Sequence, residues 1–257
     1  MSEQTIVYGL HAVRSLLQRR PERASMLLLQ KGREDARITE LMRLAHAAGI
    51  RTEWRESREL DRLAGNERHQ GACLQVRAMG PLGEGALDEL LDRATEPPLI
   101  LVLDGVQDPH NLGACLRSAD AAGATAVIVP RDRAAGLSPT VRKVASGAAE
   151  TMPLIQVVNL ARTLRWLKER ELWIVGADDQ ATQSLYQAKL SGPLALVLGA
   201  EGAGLRRLTR ESCDLLVGIP MRGGVESLNV SVAAGVLLFE AVRQRGEAGA
   251  GPPGQKA

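Results

Sequence analysis

The sequence predicts an α/β protein. Short apolar runs of strand length recur through the second half with helical patterns between them. The first 77 residues alternate helical and extended stretches on a smaller scale. A Gly/Pro-rich, acidic stretch separates the two halves, so two α/β domains are expected.

In the front half, Leu10, Val13, Leu16 and Leu17 recur at helical spacing within residues 9–19. Residues 25–30 (SMLLLQ) form an apolar run of strand length. Residues 35–48 place Ile38, Leu41, Met42 and Ala45 on one helical face, closed by Gly49. Residues 51–54 read as extended, 57–64 as helical and 72–76 as extended. The expected front domain is 1–77. Residues 78–97 hold Gly80, Pro81, Gly83, Gly85, Pro97 and Pro98 and read as a linker, with a short helix at 87–93.

The second domain is expected over 98–246. Its runs at 99–103, 126–129, 154–158, 172–175, 194–198 and 215–219 are almost wholly apolar. Strands of a parallel sheet, covered on both faces, have this composition. Asp108-Pro109 reads as a helix cap and first turn, leading to a helix that ends at Gly123. Ser138-Pro139 repeats the device before a helix at 140–150. Asn159 caps a helix over 160–170, and 228–243 form a long last helix. The Gly/Pro-rich residues 247–257 are expected as a disordered tail.

Composition narrows the function. The chain has 257 residues, 45% hydrophobic and 24% charged, enough for sizeable cores. No apolar run reaches the ~18 residues of a membrane helix, and the start lacks a signal-peptide pattern, so a cytoplasmic protein is expected. Cys73, Cys115 and Cys213 are scattered without CxxC pairing, which suits small buried side chains and disfavours a structural metal site. Residues 1–77 hold 14 Lys/Arg against 10 Asp/Glu, while 78–97 hold one Arg against five acids. A basic front domain is compatible with an RNA partner. Aromatics are only 2%, so base stacking on Phe and Tyr is disfavoured, and RNA contacts should rest on Arg, amides and shape.

Three polar, glycine-rich segments follow expected strands, where ligands of open α/β sheets bind. The first, 104–117, carries Asn111 near a helix start and Arg117 two turns on. If the helix begins before Asn111, the two point about 240° apart, and they share a site only if Asn111 lies in the preceding loop. Taken alone, a capping amide and a surface arginine explain them at least as well. The second, 198–204, has Gly199, Gly202 and Gly204 around Glu201. It is neither a P-loop nor a GxGxxG fingerprint, and Glu201 would repel a bare phosphate. The third, 219–231, carries Ser227 and Asn229, which share one side of an extended stretch or compete to cap the last helix.

These segments resemble motifs 1, 2 and 3 of the SpoU branch of the SPOUT methyltransferases. The matching pieces are 111–117 (NLGACLR), 196–204 (LVLGAEGAG) and 219–233 (IPM…SLNVSVA). Residues 8–13 (YGLHAV) and 69–71 (HQG) resemble the family's substrate-binding domain. The resemblance implies an RNA ribose 2′-O-methyltransferase using S-adenosyl-L-methionine (AdoMet). Its front domain would be a ribosomal-protein L30e-like RNA binder, and its C-terminal SPOUT domain would carry a deep trefoil knot. It implies 23S rRNA as partner, with a guanosine of the peptidyl-transferase P loop as target, and a homodimer with the site near the subunit interface. No membrane or DNA partner is expected. Asn111, Arg117, Glu201, Ser227 and Asn229 would form the catalytic group, and backbone around Gly199, Ile219, Met221 and Leu228 would hold AdoMet. Arginine stays protonated across the usable pH range, so Arg117 is expected to bind phosphate and stabilise developing alkoxide charge rather than act as a base. His110 is not expected to be catalytic, and His11 and His69 either contact RNA or pack. The same chemistry on tRNA, and a non-catalytic ribosome-assembly factor, are the alternatives.

Overall fold

The computed structural model describes residues 4–65, 67–78 and 80–249. The chain divides into two compact units, one built from residues up to Gly80 plus Ala145–Thr151, the other from Pro81–Val144 and the remainder.

In the first unit the order is β1 (Gln4–Tyr8), α1 (Leu10–Arg19), β2 (Ala24–Gln30), α2 (Ala36–Ala47), β3 (Arg51–Arg55), α3 (Ser57–Ala64) and β4 (Ala72–Arg77). Its sheet runs β1-β4-β2-β3, with β2 and β3 parallel and the other pairs antiparallel. Both faces are covered, so three consecutive leucines are buried. Leu27 and Leu29 join the core with α1 and α2, while Leu28 meets Leu60 of α3 on the other face. Asp35 caps α2, accepting from the amides of Arg37 (2.9 Å) and Ile38 (3.1 Å). β1 carried no signal that was read in the sequence; it pairs with β4 along its whole length.

The second unit begins with α4 (Gly85–Asp92) and continues β5 (Leu99–Asp104), α5 (Pro109–Ala121), β6 (Ala126–Pro130), α6 (Pro139–Ala145). After α7 (Ala148–Thr151), which belongs with the first unit, come β7 (Leu154–Val157), α8 (Leu160–Glu169), β8 (Trp173–Ala177), β9 (Gln183–Ser184), β10 (Leu194–Gly199), α9 (Arg207–Glu211), β11 (Leu215–Gly218) and α10 (Val230–Gly249). The seven strands run β7-β6-β5-β10-β8-β11-β9, and every pairing is parallel. β5 shows why the strands are apolar throughout: all six residues are buried. Ile100 and Val102 face a core shared with Leu87 and Leu91 of α4 and Leu160, Leu164 and Leu167 of α8. Leu101 and Leu103 alternate to the other face, the side of the mutually packed α5 and α10.

Four expectations change. The stretch 78–97 is more than a linker: Leu82 bridges to Ile155, and α4 lays Leu87 and Leu91 into the second unit's core. The helix over 140–150 is two helices, because Ser146 (φ 50°) and Gly147 (φ 94°) turn the chain left-handed between α6 and α7. The last helix starts at Val230 rather than 228, since Asn229 caps it. That helix also runs to Gly249, so 247–249 are not tail; residues 250–257 lie outside the described residues.

Candidate active site

α5 begins at Pro109, with Asp108 accepting from the His110 amide at 2.9 Å. Asn111 therefore sits inside the helix and is 7% exposed. It is held close to the sheet by the tight packing of α5 on α6. A Cβ added to Gly113 would lie 2.7 Å from the Val144 Cβ and 2.9 Å from the Val141 carbonyl.

Three of the five expected catalytic residues converge. Asn111 Nδ2 donates to Glu201 Oε1 at 3.0 Å. Asn229 Nδ2 donates to Asn111 Oδ1 at 2.9 Å and to Glu201 Oε1 at 2.6 Å. The directions are fixed by the backbone: Asn229 Oδ1 accepts from the Ser231 amide (2.9 Å) and hydroxyl (2.6 Å). An oxygen so occupied turns the Asn229 amide nitrogen toward Asn111 and Glu201, and the Asn111 oxygen toward Asn229. Glu201 receives both donors on one carboxylate oxygen.

Arg117 and Ser227 stand apart. Arg117 is exposed on α5 and makes no ion pair or hydrogen bond among the described residues. With Asn111 inside the helix, the two side chains diverge by about 240°. Ser227 is exposed in the segment before α10 and makes no hydrogen bond among the described residues.

Gly199 ends β10, and its loop folds straight back: Gly204 N–H donates to the Ala200 carbonyl at 2.9 Å. A Cβ at Gly199 would lie 2.0 Å from the Gly204 carbonyl carbon. The glycine is therefore required by the loop's own closure. Ile219, Met221 and Leu228 are half-buried around exposed neighbours. From Met221 to Leu228 no backbone amide or carbonyl is hydrogen-bonded among the described residues. Such a segment offers a ready set of donors and acceptors to a ligand.

Asp104 and Arg206 were not singled out in the sequence. Asp104 ends β5 with its side chain fully enclosed, accepting from the Arg206 amide (3.1 Å) and Nε (2.6 Å). The pair clamps the far end of the Glu201 loop to the sheet. A lone acid closing the otherwise apolar LILVLD was the available signal. Cys115, beneath Asn111, is not a nucleophile: burial, and then the charge of Glu201, push its thiol up to about 12. His110 is exposed and outside the cluster.

In the first unit the two resembling motifs also meet. Gly9 N–H donates to the Ala72 carbonyl at 3.0 Å, and Leu10 N–H to Gln70 Oε1 at 3.3 Å. His69 is 3% exposed and structural. Its Nδ1 accepts from the Gly71 amide (3.0 Å), so the ring proton sits on Nε2, which faces Asp61 (3.0 Å). His11 is exposed.

The two-unit α/β fold of this chain is found among solved methyltransferases. The SpoU methyltransferase AviRb from Streptomyces viridochromogenes, solved with AdoMet, matches with a TM-score of 0.70 at 25% identity, over 95% of this chain and 91% of that one. Residues 98–239 match the SpoU rRNA Methylase family, and 6–81 match the domain described as RNA 2′-O ribose methyltransferase substrate binding. The chain belongs to the SpoU rRNA methylase family. Its relatives include proteins named 23S rRNA (guanosine-2′-O-)-methyltransferase RlmB. The one from Pseudomonas putida is 56% identical over 95% of this chain and 98% of its own length. That from Haemophilus influenzae is 57% identical over 95% and 99%.

Proposed function

We propose that this chain transfers the methyl group of AdoMet to the ribose 2′-hydroxyl of a guanosine in 23S rRNA, at the peptidyl-transferase P loop. The observation that carries this is the meeting of Asn111, Glu201 and Asn229, one from each of three motif segments. The RlmB relatives, near full length on both sides, support the substrate.

AdoMet fits the residues present. The backbone from Met221 to Leu228 has no hydrogen-bond partner among the described residues, and Ile219, Met221 and Leu228 add half-buried aliphatic surface, suited to an adenosine. When bound, AdoMet supplies a methyl group on a sulfonium, already an excellent leaving group. What remains for the protein is positioning and charge. The Asn–Glu–Asn network holds the motif loops in register for the ribose. Arg117 binds the target phosphate and offsets negative charge as the hydroxyl loses its proton. Ser227 fixes the nucleotide against the loop before α10.

Arg117 lies outside the cluster of its own chain, which fits a homodimer in which the site is completed near the interface. Val232 (51% exposed) and Phe239 (49%) are seven residues apart and so share one face of α10, an apolar face suited to a second copy. Residues 1–77 act as the RNA-binding domain and 98–246 as the catalytic domain, with the trefoil knot the family resemblance implies. An rRNA substrate places the work in the cytoplasm.

The test is tritiated-methyl incorporation into unmodified 23S rRNA, with ribose-methylation mapping of the product. A single modified P-loop guanosine is expected. Incorporation confined to tRNA, or none despite AdoMet binding, would refute the proposal.

A further inference from the structure

At the carboxyl ends of β6 and β7 lies a groove of about 500 Å³ that contains no member of the Asn–Glu–Asn cluster. Its lining pairs opposite chemistries. Val158 is 62% exposed and Leu208 55%, large fractions for aliphatic side chains within a concavity. Arg133, Arg206 and Arg207 line the same groove.

The cations differ in freedom. Arg206 is tied to Asp104. Arg207, with its side chain 76% exposed, pairs through one nitrogen with Glu211 and keeps the rest of its fork open. Arg133 is exposed and makes no ion pair among the described residues. Its backbone is left-handed at φ 60°, a conformation a glycine would take without strain, yet the position carries an arginine. Leu160 and Ala161, the first residues of α8, also line the groove, and their amides have no acceptor among the described residues. Asp132, the one acid in the lining, lies 3.7 Å from Arg131.

A ligand satisfying both halves must carry an apolar face and an anion together. A nucleotide does, and the volume falls in the range of about 300–1,000 Å³ common for small-ligand sites. With six aromatics in the chain and none in this lining, aliphatic surface and guanidinium planes supply the stacking.

We propose that this groove seats a nucleotide of the substrate strand flanking the methylated one, its base and sugar on Val158 and Leu208 and its phosphate on Arg133 and Arg207. The inference rests on the RNA-methylating function proposed above; the groove and that site share one edge of the sheet.

The experiment uses the full-length protein and a P-loop fragment of 23S rRNA, with RNA affinity read by fluorescence anisotropy across a salt series. The double variant Arg133→Ala/Arg207→Ala should bind about tenfold more weakly. The slope of log affinity against log salt should shrink by about 0.7, the value for one lost single-strand phosphate contact. AdoMet affinity and the RNA-saturated methylation rate should stay within about twofold. Val158→Ser should weaken RNA binding with the salt slope intact. Unchanged affinity and slope in the double variant would overturn the proposal, as would an equal loss of AdoMet affinity. Displacement of the RNA by polyglutamate as readily as by single-stranded RNA of equal charge would overturn it in favour of an acidic peptide. Binding is read without catalysis, so a parent protein that binds the fragment but transfers no methyl group refutes the proposed function alone.

Discussion

Replacing Asn229 by aspartate separates its two jobs. The side-chain oxygen that caps α10 through Ser231 is kept, and a charge at a helix N-terminus is favourable there by about 0.3–1 kcal/mol. The donor is lost: an oxygen now faces Glu201 Oε1, where the amide stood at 2.6 Å, and Asn111 Oδ1, where it stood at 2.9 Å. Two unit charges about 4 Å apart repel by about 4 kcal/mol at an effective dielectric of 20, and by about 1 kcal/mol in water. Asn229 and Glu201 are both exposed, so the lower figure governs. The carboxylate pair then shares a proton more readily than either acid does in the unfolded chain. A raised folded-state value means the native protein holds more protons in the acid range around the carboxylate values, so stability falls as pH rises through it. The loss should approach about 1 kcal/mol between about pH 3 and 6. Urea denaturation followed by circular dichroism at both pH values measures it against the parent. Asn229→Ser, which keeps a capping oxygen but cannot reach Glu201, should lose stability equally at both. A pH-independent difference for the aspartate variant would refute the network as drawn.

Other changes test separate parts. Arg117→Ala should lower methyl transfer by about 10²–10³-fold while AdoMet binding, read by calorimetry, survives; near-normal turnover would remove Arg117 from the chemistry. Gly199→Val should destabilise the protein as well as weaken AdoMet binding, because the added carbons meet the Gly204 backbone rather than open space; a normal thermal midpoint with lost AdoMet binding would show that the side chain intrudes on the ligand alone. If the proposed homodimer forms through α10, Phe239→Glu with Val232→Glu should leave it monomeric in analytical ultracentrifugation, and a parent already monomeric at high concentration would refute the interface. Gly113→Ala should cost about 1–3 kcal/mol in urea unfolding, through overpacking of α5 against α6 at Val144.

Much of the fold was legible because burial on two faces leaves a simple trace. The six apolar runs of the second half all became parallel strands, and Asp35, Asp108 and Asn159 cap the helices they were expected to open. What was missed follows from weaker physics. β1 and β9 draw their order from strand pairing rather than from their own composition. α4 was expected as a short helix inside a linker, because glycines and prolines flank it; that two of its leucines are buried in the second unit's core was not foreseen. The break between α6 and α7 rests on a left-handed serine, which no residue pattern announces.

For the site, the choice between a capping asparagine and a functional one was a false alternative. Asn229 caps α10 and joins the Asn–Glu–Asn cluster, and the first produces the second. A free side-chain amide can flip, exchanging donor for acceptor, and a site built on it would have two electrostatic faces. Here the Ser231 amide engages the oxygen, so the nitrogen is committed to Asn111 and Glu201. That commitment orients Asn111, whose own nitrogen is left for the same carboxylate. One backbone N–H at the start of α10 thereby sets the polarity of a network reaching to α5 and the loop after β10. The arrangement explains why three distant segments must each contribute one polar residue: helix start, helix interior and loop acid form a single directed chain, and changing any member leaves a mismatched partner in the other two.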